Sequence, residues 1–154
     1  MTEWEGLNKT WIDNRILQLE TSNICNLNCP GCARQKYFQF NSNNELEAIE
    51  SYKKQGISLQ DYDRILSATK NIKILFYNLS VSDPIYSPTM NQELEIINLL
   101  DPRPMLQFST NGSHRSVNWW NTFKELLRRD DRIEFAIDGL EDTNHIYRVN
   151  SNWQ

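Results

Sequence analysis

The sequence predicts an α/β domain, a partial (β/α) barrel of about four βα units with parallel strands. Three observations lead there. Short strand-like stretches alternate with helical ones, each strand-like stretch runs into a loop of turn residues, and the chemistry-bearing side chains gather in those loops. Repeated βα units imply right-handed crossovers with the helices outside. A complete eightfold barrel takes about 250 residues. The 154 residues here therefore read as a truncated barrel, with 1–14 as an N-terminal extension and 15–154 as the domain.

The first strand is Arg15 to Thr21, where apolar and polar residues alternate into a loop that carries the cysteines. Residues 33–56 are rich in Gln, Asn and Lys and read as a long loop with a short helix near Glu45 to Tyr52. Ser58 with Asp61 three residues on is a capping-box type start, and Leu59, Tyr62, Ile65 and Leu66 recur at helical spacing, so a helix is expected over 59–69. The apolar run Ile72 to Leu79 suits a strand buried on both faces.

Leu94, Ile97 and Leu100 mark a second helix that must stop before Asp101-Pro102, because proline lacks the donor a continuing helix needs. A third strand, Met105 to Thr110, ends at the turn signal Asn111-Gly112. Trp119, Trp120, Phe123, Leu126 and Leu127 then line one side of a third helix, as core rather than as a stacking platform. Ile133 to Asp138 is the fourth strand, closed by Gly139, with no fourth helix expected after it.

Composition narrows the function. The apolar fraction of 39% and charged fraction of 23% are those of a globular protein. There is no apolar run of about 18 residues for a membrane span, and the N-terminus lacks the basic start and apolar middle of a signal peptide, so a cytoplasmic, reducing location is expected. A net charge of −4 gives no global attraction to nucleic acid or anionic lipid.

All three cysteines fall in Cys25-Asn26-Leu27-Asn28-Cys29-Pro30-Gly31-Cys32. An odd, clustered set is a poor disulfide framework, and thiols this close in a reducing compartment are more often metal ligands or redox groups. A structural zinc site closes four ligands on the metal. Three thiolates on a four-iron, four-sulfur cluster leave one iron open to an outside molecule. Pro30 and Gly31 let the loop turn tightly and bring backbone donors toward the cluster sulfurs. A zinc knuckle with His114 as fourth ligand, or unliganded core thiols, are the alternatives. The cysteine loop, Asp83, Ser109 with Asn111, and Asp138 each follow a strand, and in parallel α/β folds that edge is where ligands bind.

These residues carry a resemblance. The C-x3-C-x2-C spacing resembles the signature of the radical S-adenosylmethionine (SAM) superfamily, and the likeness extends over roughly residues 15–150. Ser82-Asp83-Pro84-Ile85-Tyr86 resembles the family's loop after strand two, Phe108 to Gly112 its Ser-Thr-Asn-Gly strand end, and Ala136 to Gly139 its Ser-Ile-Asp-Gly segment. His145-Ile146-Tyr147-Arg148 is similar to the stretch that follows in SPASM-type members.

The resemblance implies the N-terminal half of a radical SAM core, with a 4Fe-4S cluster on Cys25, Cys29 and Cys32 and SAM chelating the open iron. It implies reductive cleavage of SAM to methionine and a 5′-deoxyadenosyl radical, an electron donor as partner, and a substrate that a peptide or protein would fit. Asp83 would accept from the methionine ammonium, Ser109 and Asn111 would face methionine or ribose, and Asp138 and Arg148 would contact ribose or carboxylate. Gly31 stands where the family has a bulky residue near adenine, and Tyr37 or Phe38 are the substitutes at hand. The loop at Ser80-Val81-Ser82 lacks the family's glycines.

A half barrel leaves unpaired edges, which predicts a dimer or a complementing C-terminal segment. The competing reading is a non-catalytic module that holds a cluster and SAM without turnover. Ordinary roles are also open: Asp83 as a turn residue before proline, Ser109 and Asn111 in the turn, Arg148 solvated near the chain end.

Overall fold

The computed structural model describes residues 15–40, 46–48, 55–69, 71–78, 80–113 and 115–153. The expected N-terminal extension and His114 lie outside them.

Strand β1 is Ile16–Leu19. After the cysteine loop a 3₁₀ turn, Ala33–Tyr37, leads into β2, Phe38–Phe40, which pairs antiparallel with β3, Leu46–Ala48. This hairpin corrects the expected loop and short helix: Leu46–Ala48 is strand, and the flanks of that expected helix lie outside the described residues. Helix α1 is Leu59–Ala68, and Ser58 caps it by accepting from the Asp61 amide at 3.1 Å while donating to the Asp61 carboxylate at 2.7 Å.

Strand β4, Ile74–Tyr77, is followed by a 3₁₀ turn at Pro84–Tyr86 and by α2, Met90–Asn98, which ends before Asp101-Pro102 as proline requires. Strand β5 is Met105–Thr110, α3 is Val117–Glu125 and β6 is Arg132–Phe135. The fourth strand is thus shorter than expected, and Ile137 and Asp138 lie in the loop beyond it. A short helix α4, Asn144–Tyr147, does follow, against the expectation of none.

Strands β1, β4, β5 and β6 form one sheet in that order, all parallel, with a helix between each neighbouring pair. The expected α/β class with parallel strands holds. Leu75 and Tyr77 of β4 and Leu106 and Phe108 of β5 face Tyr62 and Leu66 of α1, Leu94 and Ile97 of α2 and Phe123 of α3 in one core. Phe108 stacks on Tyr77 with ring centroids 4.8 Å apart and meets Phe123 edge-on at 5.2 Å. Trp119 and Trp120 pack at its rim, in the core role expected of them.

Strand β4 is not buried on both faces as its apolar run suggested. Leu75 and Tyr77 are buried, whereas Ile74 and Phe76 on the opposite side are half-buried, because the described helices cover one face of the sheet. At the N-terminal end of β5 and β6, Arg103 and Asp131 form a bidentate ion pair at 2.8 Å with both side chains 1% exposed. Asp131 also accepts from the Leu106 and Arg128 amides, so this pair ties both strand entries together. Among the described residues no helix is long and apolar enough to cross a membrane.

Candidate functional site

The opposite, C-terminal edge of the sheet carries a cavity of about 260 Å³. Its wall includes Cys25, Cys29, Cys32, Gly31, Asn111 and Arg148. Six residues singled out in the sequence therefore meet at one place, although 116 residues separate Cys32 from Arg148 (148 − 32).

Local bonds explain why the loop takes this shape. The Cys32 amide donates to the Cys29 carbonyl at 3.1 Å, which closes a tight turn across Pro30 and Gly31. Buried Arg34 donates its guanidinium to the Leu27 carbonyl, and the Gln35 side chain donates to Asn28 Oδ1 at 2.6 Å and to the Cys29 carbonyl at 3.1 Å. From outside, the Asn28 amide donates to the Val149 carbonyl at 2.9 Å, so the segment after α4 is strapped onto the loop. An added methyl at Gly31 would stand 2.8 Å from Tyr147 Oη, which is why a glycine suits this crossing.

Every one of the three sulfurs receives an N–H donor. The Leu27 amide approaches Cys25 Sγ at 3.4 Å and the Asn111 side-chain amide approaches it at 3.7 Å. The Arg34 amide lies 3.4 Å from Cys32 Sγ, and Arg148 Nη1 lies 4.0 Å from Cys29 Sγ. Burial pushes the Cys25 thiol up to about 11. Burial also raises Cys29, against the pull of the Arg148 guanidinium. Without a cation these two thiols stay protonated near neutral pH, and a metal would have to displace their protons.

Asp83 does not line the cavity; it lies beneath it, fully buried. Its Oδ1 accepts from Thr110 Oγ1 at 2.6 Å and from the Ile85 amide at 3.3 Å. Its Oδ2 accepts from the Asn111 amide at 2.7 Å and from the Asn111 side chain. Burial raises its pKa, and these donors offset part of that. Meanwhile the Asp83 amide donates to the Ile24 carbonyl at 2.9 Å, joining this loop to the cysteine loop. Glu20 at the end of β1 accepts from the Ser80 and Val81 amides at 2.7 and 3.0 Å, which holds the Ser80-Val81-Ser82 stretch in the cavity wall without glycines.

Asn111 begins the turn that Gly112 completes at a φ of +70°, a region open to glycine. Asn111 Oδ1 accepts from the Ser113 amide at 2.8 Å, so this side chain serves the turn and the cavity at once. Ser109 is half-buried, alternates away from buried Thr110, and is not in the cavity wall. Asp138 stands behind Arg148, to which it is ion-paired. Tyr37 is half-buried and outside the wall, and nothing is described of the Phe38 side chain. Arg34 was not singled out in the sequence, and Ser82 and Tyr147 stood there only as members of longer motifs, yet all three line the cavity.

Among the described residues, no three His, Cys, Asp or Glu side chains are gathered as for a single metal ion. Three soft thiolates suit iron–sulfur chemistry, in which each ligand takes a separate iron. Neither a family model nor a curated protein matches the chain.

Proposed function

We propose that this chain is a radical SAM protein, or the N-terminal part of one, that binds a 4Fe-4S cluster through Cys25, Cys29 and Cys32 and SAM beside it. One observation supports this most: the three thiols, Asn111 and Arg148 share a single cavity at the C-terminal edge of a parallel sheet, and each sulfur has an N–H donor. The donor set fits the group. When bound, the cluster and SAM together supply one-electron cleavage of the sulfonium to methionine and a 5′-deoxyadenosyl radical.

The chain's own residues do the holding. The backbone amides of Leu27 and Arg34 orient the sulfurs of Cys25 and Cys32. Asn111 offers its amide at the cavity wall, kept in register by buried Asp83. Arg148, a cation in the cavity wall, is in reach of an anionic group there such as the SAM carboxylate. Gly31 lets the Tyr147 hydroxyl come close to the cysteine loop at the cavity wall, where a larger side chain would meet it.

Anaerobic reconstitution with iron and sulfide, iron counting and electron paramagnetic resonance with and without SAM test the proposal. About four irons per chain and a spectrum that changes on SAM addition are expected, with loss of iron in the Cys25→Ser, Cys29→Ser and Cys32→Ser variants. Deoxyadenosine formation then separates an enzyme from a module that binds without turnover. Zinc without iron or sulfide, or a cluster blind to SAM, would sink the radical reading.

A further inference from the structure

We propose that Arg148 is a positioning residue that sets the reduction potential of the cluster, by holding a fixed positive charge against the Cys29 sulfur. The inference rests on the reading of Cys25, Cys29 and Cys32 as cluster ligands.

The guanidinium has little freedom. Its Nε donates to Asp138 Oδ2, its Nη1 reaches Cys29 Sγ at 4.0 Å, and its carbon lies 5.7 Å from the centre of the Tyr147 ring. The backbone is pinned on both sides: the Arg148 amide donates to the Asn144 carbonyl at 2.8 Å, and the next residue, Val149, accepts from the Asn28 amide at 2.9 Å. Asp138 is itself oriented, because its amide donates to Asn144 Oδ1 at 2.9 Å. Only 20% of the Arg148 side chain is exposed, so solvent screens its charge less than it would at an open surface.

The three sulfurs are not treated alike. The donors to Cys25 and Cys32 are neutral amides, whereas the donor to Cys29 is a cation. Net charge, hydrogen bonds to the sulfurs and solvent exposure set the potential of an iron–sulfur cluster. Reduction adds one electron from an external one-electron donor and makes the cluster more negative. A guanidinium beside a ligand sulfur favours that reduced state, and so raises the potential. Asp138 moderates the effect from the far side of the guanidinium. No bond forms or breaks at Arg148 and its protons stay in place, so its contribution is electrostatic in both oxidation states.

The decisive experiment compares the wild-type chain with Arg148→Gln and Arg148→Lys after anaerobic reconstitution with iron and sulfide. Iron content is measured first, and the midpoint potential is then followed by electron paramagnetic resonance during titration with dithionite, without SAM. Equal iron in all three is expected, with the Gln variant shifted to more negative potential and the Lys variant recovering most of the shift. Equal midpoints at full iron overturn the assignment of Arg148 while leaving the cysteine ligands standing. Wild-type chain that takes up no iron overturns both. Should Arg148→Gln not hold iron, Asp138→Asn carries the test, since it keeps the guanidinium and removes the moderating charge: an upward midpoint supports the proposal and an unchanged one overturns it.

Discussion

Asn111 is bonded to Asp83 twice, through its backbone amide at 2.7 Å and through its side-chain amide, and both donors meet the same carboxylate oxygen. The loop after β5 is therefore registered against the loop after β4 by a residue with no solvent exposure. Replacing Asp83 by Ala strands the Thr110 hydroxyl and the Ile85 and Asn111 amides in a buried place, at a cost on the order of 3 kcal/mol. Urea denaturation of Asp83→Ala checks this, and a loss under about 1 kcal/mol would contradict a central role for the carboxylate.

Arg103 and Asp131 give a stability effect remote from the cavity. Removing one partner of a buried pair leaves an uncompensated charge, so Asp131→Asn should lose about 3 kcal/mol near neutral pH. Burial raises the Asp131 pKa, but the Arg103 pair and the Arg128 and Leu106 amides outweigh it, so the net shift is downward. A depressed folded pKa means that the contribution is complete above the unfolded value of about 3.9. It is lost as pH falls through the folded value. The gap between wild type and Asp131→Asn, followed by urea denaturation over pH, should close in acid; a constant gap would refute the assignment.

Glu93 of α2 carries the opposite sign. It is fully buried, and although Ser87 and Thr89 each donate to its Oε1 at 2.8 Å, desolvation raises its pKa. The folded chain therefore binds this proton more readily than the unfolded one, and the carboxylate costs stability as pH rises through the folded pKa. Glu93→Gln should gain on wild type between acid and neutral pH in thermal melts. A gap independent of pH would show that Glu93 does not titrate on folding.

Gly31 and Tyr147 should couple. Gly31→Ala brings a methyl to 2.8 Å from the Tyr147 hydroxyl, at the far end of a side chain that is 42% exposed. Tyr147→Phe removes the clashing oxygen. The double variant is expected to be more stable than the two single changes predict, by roughly 0.5–1 kcal/mol, and simple additivity in a double-mutant cycle would mean that the hydroxyl moves aside freely.

Strand β5 is legible to the residue, because Met105 to Thr110 combines alternation with an Asn-Gly stop. The start of α1 is equally legible, since Ser58 and Asp61 form the cap their spacing suggests. The hairpin of β2 and β3 was not, because two three-residue strands set in a Gln- and Asn-rich stretch give no period long enough to read. Tertiary partners account for the other surprises. Glu93, next to Leu94 in the helix, gives no local sign of its burial, which the hydroxyls of Ser87 and Thr89 help to make tolerable. Arg148, near the chain end, reads as a solvated cation until Asp138 and Cys29 are seen on either side of it. The tight turn across Pro30 and Gly31 and the turn at Asn111-Gly112 were readable because turn chemistry is local.

Sequence distance between a sulfur and its donor also sets an order in time. Cys29 and the Arg148 guanidinium that reaches it are 119 residues apart. At ribosomal rates of roughly 5–20 residues per second, the cysteine loop emerges on the order of 10 s before the arginine is made. Because strand order in the sheet follows chain order from β1 to β6, the cysteine loop and the strands beside it are made before the segment that straps it. On the proposed cluster reading, the Val149 carbonyl and the Arg148 guanidinium close on the loop last, so a bulky inorganic guest has a window for entry that ends when this strap docks.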